Sequence, residues 1–201
     1  LHEETGFSFS AEEVLGLITP QTRLIILNTP ANPTGGVVPR QEIERLVEGL
    51  EAHSKVYILS DEIYSRFCYD VPFDSPAHYN ERTIVIDGFS KSHAMTGWRV
   101  GFVHGPSDVI DTMIKLQQFT FVCAPQPAQW AGAEALDVDV SDHMDEYRRK
   151  RDLIVQGLSG KYEFAHPDGA FYVFPKAPWG NGSEFVARAI ENNLLIIPGS
   201  I

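Results

Sequence analysis

The sequence holds only two cysteines in 201 residues, Cys68 and Cys123. That is too few for a disulfide framework, and each reads as a small buried apolar residue. Its seven histidines are scattered, with no HxxxH pair and no CxxC, so no metal site is read from it. No apolar run reaches the length of a membrane span, and no secretory leader opens the chain; the expected location is the cytoplasm. Positive charge is also scarce. Sixteen Lys and Arg stand against 27 Asp and Glu, a formal net charge of −11. That balance argues against nucleic acid or an anionic membrane as the main partner, while leaving room for a local basic pocket that takes a phosphate.

What is present is ordinary globular composition, 43% hydrophobic and 21% charged. The length suits one large domain, or one domain with a smaller appendage. Ser10-Ala11-Glu12-Glu13 is a capping box and predicts a short helix over 11–18. Residues 23–28 hold the unbroken apolar run Leu24-Ile25-Ile26-Leu27 with β-branched members, which predicts a strand buried on both faces, as in a parallel sheet. Thr29-Pro30-Ala31-Asn32-Pro33-Thr34-Gly35-Gly36 follows as a loop. An amphipathic helix is expected over 40–53, with Ile43, Leu46, Val47 and Leu50 on one face. Further strands are expected at 56–60, 83–87 and 99–103, then helical patterns over 107–136 and a long charged helix over 142–158 stopped by Gly160. A strand at 169–174, a helix at 184–192 and a strand at 194–197 complete the reading. Strands alternating with helices imply an α/β fold with a mostly parallel sheet flanked by helices. Residues 1–140 are expected to form part of a large domain, and 141–201 a connecting helix with part of a small α+β domain.

In open α/β sheets, ligands bind outside the carboxyl ends of the strands. After the first strand comes Asn32, on a proline-locked loop. After the second come Asp61 and Tyr64, and after the third Ser90 and Lys91; Arg99 opens the fourth. An amide, a carboxylate, a phenol, a lysine and an arginine thus fall on one rim. A lysine amine can form a Schiff base with a carbonyl compound. A carboxylate can keep a pyridinium nitrogen protonated, so that the ring acts as an electron sink. Phenol and amide can hydrogen-bond a ring oxygen, and arginine offers a planar fork to a phosphate. Together they describe a site for pyridoxal 5'-phosphate. Each residue alone has a plainer reading: Lys91 a surface lysine, Asp61 a helix cap, Tyr64 a core aromatic, Arg99 an ion-pair partner. Their shared position at strand ends decides against it. Glu62 is expected to be structural or to face away, and Met95 and Trp98 to be packing residues.

The three blocks Asn32-Pro33-Thr34-Gly35, Ser60-Asp61-Glu62-Ile63-Tyr64 and Ser90-Lys91-Ser92-His93-Ala94-Met95-Thr96-Gly97-Trp98-Arg99-Val100-Gly101 resemble, in order and spacing, the signature blocks of class I/II aminotransferases of the aspartate-aminotransferase family. These are fold-type I enzymes dependent on pyridoxal phosphate. The resemblance implies that Lys91 is the catalytic lysine that carries the cofactor and moves the substrate proton. It implies that Asp61 pairs with the ring nitrogen, that Tyr64 and Asn32 hold the ring oxygen, and that Arg99 holds the phosphate. It also implies a cis bond between Asn32 and Pro33. Where relatives carry a serine three residues before the lysine, this chain has Gly88, which leaves Ser90 as a substitute donor. Gly169-Ala170-Phe171-Tyr172 resembles a small-domain strand that faces the substrate, and a plain core strand is the alternative.

Relatives of this family are about twice as long. The resemblance therefore implies that this is a fragment lacking both ends, with the arginine for the substrate carboxylate beyond Ile201, and that the fragment alone binds the cofactor weakly. Amino acid and 2-oxo acid substrates and a homodimeric full-length protein are expected. Competing readings are a β-lyase on the same cofactor, against which Tyr64 stands where that branch often has histidine; an aminotransferase-like domain of a regulator that responds to the cofactor; and a binding module with no cofactor.

Overall fold

The computed structural model describes residues 2–200. Four strands form one sheet in the order β1 (Leu24–Asn28), β2 (Tyr57–Asp61), β3 (Thr83–Gly88) and β4 (Gly101–His104). The first three run parallel, with Asn28 opposite Asp61 and Asp61 opposite Ile86. β4 returns antiparallel, with Gly88 opposite Gly101. The carboxyl ends of β1, β2 and β3 therefore share one edge with the start of β4. The last two glycines are needed there. A Cβ on Gly88 would come within 2.9 Å of the Gly101 Cα, and one on Gly101 within 2.9 Å of the Asp87 carbonyl oxygen.

Helices α1 (Ala11–Gly16) and α2 (Arg40–Gly49) pack on one face of the sheet. The Ser10 side chain caps α1 as the capping box predicts, accepting from the Glu13 N–H. The helical period places Ile43 and Leu46 of α2 inward, fully buried, and Leu46 meets Leu27, Ala11 and Ile58 in one cluster. The opposite face of β1 is bare: Leu24 is 43% and Ile26 68% exposed. The expectation of a strand buried on both faces is corrected there, because β1 lies at the sheet edge with α1 and α2 on one side only.

The helical stretch expected over 107–136 is two helices, α3 (Ser107–Gln118) and α4 (Gln126–Ala135). The break between them includes Val122 in the left-handed region and ends at Pro125. The long helix α5 (Ser141–Leu158) and α6 (Gly182–Glu191) lie where the sequence places them, α6 with a full capping box of Asn181 and Glu184. The strands expected at 169–174 and 194–197 do not form. Residues 169–174 gain a single bridge, Cys68 to Gly169, and no ladder. Cys123 and Trp98 are exposed, against the expectation of burial. No helix among the described residues is long and apolar enough to cross a membrane.

That one bridge nonetheless fastens the segment after α5 to the loop after β2. Ala170 N–H donates to Phe67 O at 2.8 Å, Tyr69 N–H donates to Asp168 O at 3.0 Å, and the Tyr69 hydroxyl donates to Ala170 O at 2.6 Å. Arg151 of α5, only 7% exposed at its side chain, pairs with Asp70 at 2.7 Å and donates to Pro167 O at 2.9 Å. Gly169 sits in the tightest spot. A Cβ there would meet Pro30 Cβ and Val37 Cγ2 at 2.7 Å and the Phe67 oxygen at 2.8 Å. Gly169→Ala is therefore expected to cost about 1–3 kcal/mol of stability, measured by chemical unfolding; a neutral result would contradict this packing.

Two carboxyl groups lie out of the water beside the strand ends, Glu62 buried and Asp87 half-buried. Glu62 accepts from the Ser75 hydroxyl at 2.6 Å, and loss of water raises its pKa. It is structural, as expected. Burial also raises Asp87 from 3.8 to about 6, although the Gly88 N–H donates to its Oδ1 at 2.6 Å. Between those values the folded chain keeps a proton that the unfolded chain has released. Stability tied to Asp87 is then fully present below the lower value and lost as pH rises through the upper one. Asp87→Asn is expected to stabilise the fold by about 1–3 kcal/mol near pH 7.5 and to have little effect near pH 3.5. Urea unfolding at both pH values checks this, and an equal effect at the two would contradict it.

Candidate functional site

Each parallel strand delivers its polar residue to the shared edge by a local device. Asn28, the last residue of β1, turns its side chain onto the next loop, where its Oδ1 accepts from the Asn32 N–H at 2.9 Å. Both Thr29–Pro30 and Asn32–Pro33 are cis, the second as the resemblance implies. The loop is closed by Ala31 N–H to Gly36 O and Gly35 N–H to Ala31 O, both 2.9 Å. Asp61 ends β2, and its Oδ1 accepts from the Ile63 N–H at 3.3 Å. The turn that follows carries Tyr64 inward, where it is buried. Ser90 and Lys91 lie in the turn directly after β3, both half-buried.

Tyr64, Asn32, Asp61 and Lys91 come together. The Lys91 Nζ lies 5.9 Å from the centroid of the Tyr64 ring and 5.9 Å from that of Phe171. Among the described residues it has no carboxylate partner, so its amine is held by aromatic faces and left free to react. The Tyr64 hydroxyl shares a 2.5 Å hydrogen bond with the Tyr172 hydroxyl. Burial pushes the Tyr64 pKa well up, as do the Tyr172 partner, when Tyr64 is the donor of that pair, and the nearby Asp61 charge, while the Asn32 amide acts in the opposite direction. The phenol therefore stays protonated at neutral pH and is available as a donor.

Arg99 stands apart from this group. It is exposed, in the left-handed region at φ 53°, and one guanidinium nitrogen donates to Thr96 O at 2.9 Å. Ser90 forms no hydrogen bond to the Lys91 group among the described residues. The structure thus gathers four of the six expected residues and leaves Arg99 and Ser90 on the turns around them.

Three contributors were missed or left open by the sequence. Phe171 and Tyr172 reach Lys91 and Tyr64 because the bridge at Gly169 draws their segment in; Tyr172 lies 108 residues from its partner. The GAFY motif was the only signal for them. Asn28 was read simply as a strand end. A further grouping that no linear spacing indicates is Asp70, His166 and Asp168, whose ligand atoms lie within 4.8 Å of one another. Asp70 is already paired with Arg151, and the His166 Nδ1 lies 3.3 Å from an Asp168 oxygen.

The donor set fits pyridoxal phosphate. A free amine beside a protonated phenol, an amide and a carboxylate is what an aldehyde-bearing pyridine with a phenolic oxygen requires.

Comparison with known proteins agrees with this chemistry. The family model for aminotransferase class I and II matches residues 1–201. A probable aspartate aminotransferase of Methanocaldococcus jannaschii is 40% identical over 98% of this chain and 55% of its own length. Aromatic-amino-acid aminotransferase 2 of Thermococcus litoralis is 38% identical over 99% of this chain and 54% of its own. The crystal structure of aspartate aminotransferase from Thermotoga maritima superposes with a TM-score of 0.94 at 36% identity, covering 99% of this chain and 54% of that one. The chain thus spans about half the length of the relatives it matches. With three signature blocks at three strand ends and a family match over every residue, the chain belongs to the class I and II aminotransferases.

Proposed function

We propose that this chain forms part of an aminotransferase that moves an amino group between an amino acid and a 2-oxo acid, with Lys91 as its catalytic lysine. The observation that carries the reading is the unpaired Lys91 amine between the Tyr64 and Phe171 rings. Bound pyridoxal phosphate would supply an aldehyde for the lysine and a ring that takes up the electron pair released at a substrate carbon. Within that reading, Asp61 would hold the ring nitrogen protonated with its negative charge. Tyr64 donates to the ring oxygen and Asn32 supports it. Arg99 offers its fork to the phosphate, with Ser90 as an added hydroxyl donor. Lys91, once its amine is free, takes the proton from the substrate carbon and returns it.

The matched relatives named for aspartate and for aromatic amino acids support the reaction class and leave the donor open. A homodimer and a cytoplasmic location belong to the same proposal, as does a division near residue 140, where α5 begins at Ser141.

The test is direct. The longest polypeptide carrying this sequence is loaded with pyridoxal phosphate, reduced with borohydride and digested. Label on Lys91 alone is expected, and Lys91→Ala should lower transamination by about 10²–10⁴-fold. Label spread over several lysines, or turnover that survives the substitution, would overturn the assignment. Pyruvate released from cystathionine without an amino acceptor would place the protein among lyases instead.

A further inference from the structure

The Tyr64–Tyr172 contact joins the turn after β2 to a segment after α5 that is otherwise held by backbone hydrogen bonds to the loops after β1 and β2. The two hydroxyls are 2.5 Å apart, and the rings meet edge to face with centroids 5.6 Å apart. Tyr172 is fixed from behind. The Gly169 N–H donates to Gly35 O, Ala170 is clamped between Phe67 O and the Tyr69 hydroxyl, and Phe171 packs on Tyr64, Phe67 and Tyr147. A hydroxyl placed so rigidly against another has a restricted set of roles. A phenol has one proton and an oxygen that can accept. If Tyr64 gives its proton to a ligand beside Lys91, its oxygen can only accept from Tyr172. An accepted hydrogen bond polarises the O–H of the acceptor and makes it a better donor.

We propose that Tyr172 is a positioning residue whose hydroxyl donates to Tyr64, fixing that phenol beside Lys91 and strengthening it as the donor to a bound aldehyde cofactor. The inference rests on the pyridoxal-phosphate reading above and adds to it a residue from the segment after α5. It makes the electronic state of the site depend on whether that segment is docked on the loop after β2.

The readout is the pH titration of the visible absorption of the cofactor-loaded protein, in the longest polypeptide that carries this sequence. A stronger Tyr64 donor stabilises the negatively charged ring oxygen and so holds the chromophore unprotonated to lower pH. Tyr172→Phe keeps the ring and removes the hydroxyl. It should raise the proton affinity of the chromophore about fivefold, the weight of one ordinary hydrogen bond. Tyr64→Phe should raise it at least as much, and the double variant should match Tyr64→Phe alone. Fluorotyrosine incorporated at Tyr172, a stronger donor of nearly the same shape, should move the titration the other way and guards against a Phe variant that folds poorly. An unchanged titration in Tyr172→Phe, or an equal effect of that change in the Tyr64→Phe background, would overturn the proposal while leaving the cofactor reading intact. A wild-type protein that forms no visible band at all would overturn both. Thermal unfolding serves as the control, since a merely structural Tyr172 would shift the melting temperature and leave the titration in place.

Discussion

Parallel pairing of β1, β2 and β3 is the constraint from which the site follows. Because Asn28, Asp61 and Ile86 lie in one register row, all three strands release their chains at the same edge. Backbone groups there have no further ladder partner, so the chain leaves in loops and tight turns, and those loops carry the polar residues. The antiparallel return of β4, allowed by the close approach of Gly88 and Gly101, keeps the turn that bears Lys91 on that edge. Had β3 slipped by one residue, its side chains would change faces and the Lys91 turn would be re-aimed relative to Asp61.

A second constraint closes the site from outside the sheet. Residues 167–172 add one bridge and a few backbone hydrogen bonds to the loop after β2, backed by Arg151 of α5 held between Asp70 and Pro167. The gain per contact is small, yet the result is specific. Gly169 fits only because it lacks a side chain, and its neighbours Phe171 and Tyr172 are thereby set against Lys91 and Tyr64. The aromatic cluster is thus both the packing of this region and one wall of the reactive group.

Much of this was legible in the sequence. Apolar runs with β-branched residues marked β1, β2 and β3, since a parallel strand needs them, and the residues after each run proved to meet in space. The long helix and its stop at Gly160 followed from amphipathic period and glycine's freedom at positive φ. Less was legible where a segment's state depends on partners distant in sequence. Residues 169–174 have a strand's composition and gain no ladder, because a single bridge is all they find. The break at 119–125 is apolar and so read as helix, although Val122 turns left-handed within it. The exposed side of β1 could not be read either, because burial of a face is decided by what packs on it. The pairing of Tyr64 with Tyr172 joins positions that no local pattern connects.

The central claim is that Lys91, Tyr64, Asn32 and Asp61 form one cofactor site at the carboxyl edge of the sheet. A crystal structure of the longest polypeptide carrying this sequence, soaked with pyridoxal phosphate, tests it most directly. Continuous density from the Lys91 Nζ to a pyridine ring, with the ring nitrogen facing Asp61 and the ring oxygen within hydrogen-bond reach of the Tyr64 hydroxyl, is the predicted result. A cofactor joined to another lysine, or seated away from the ends of β1, β2 and β3, would contradict it.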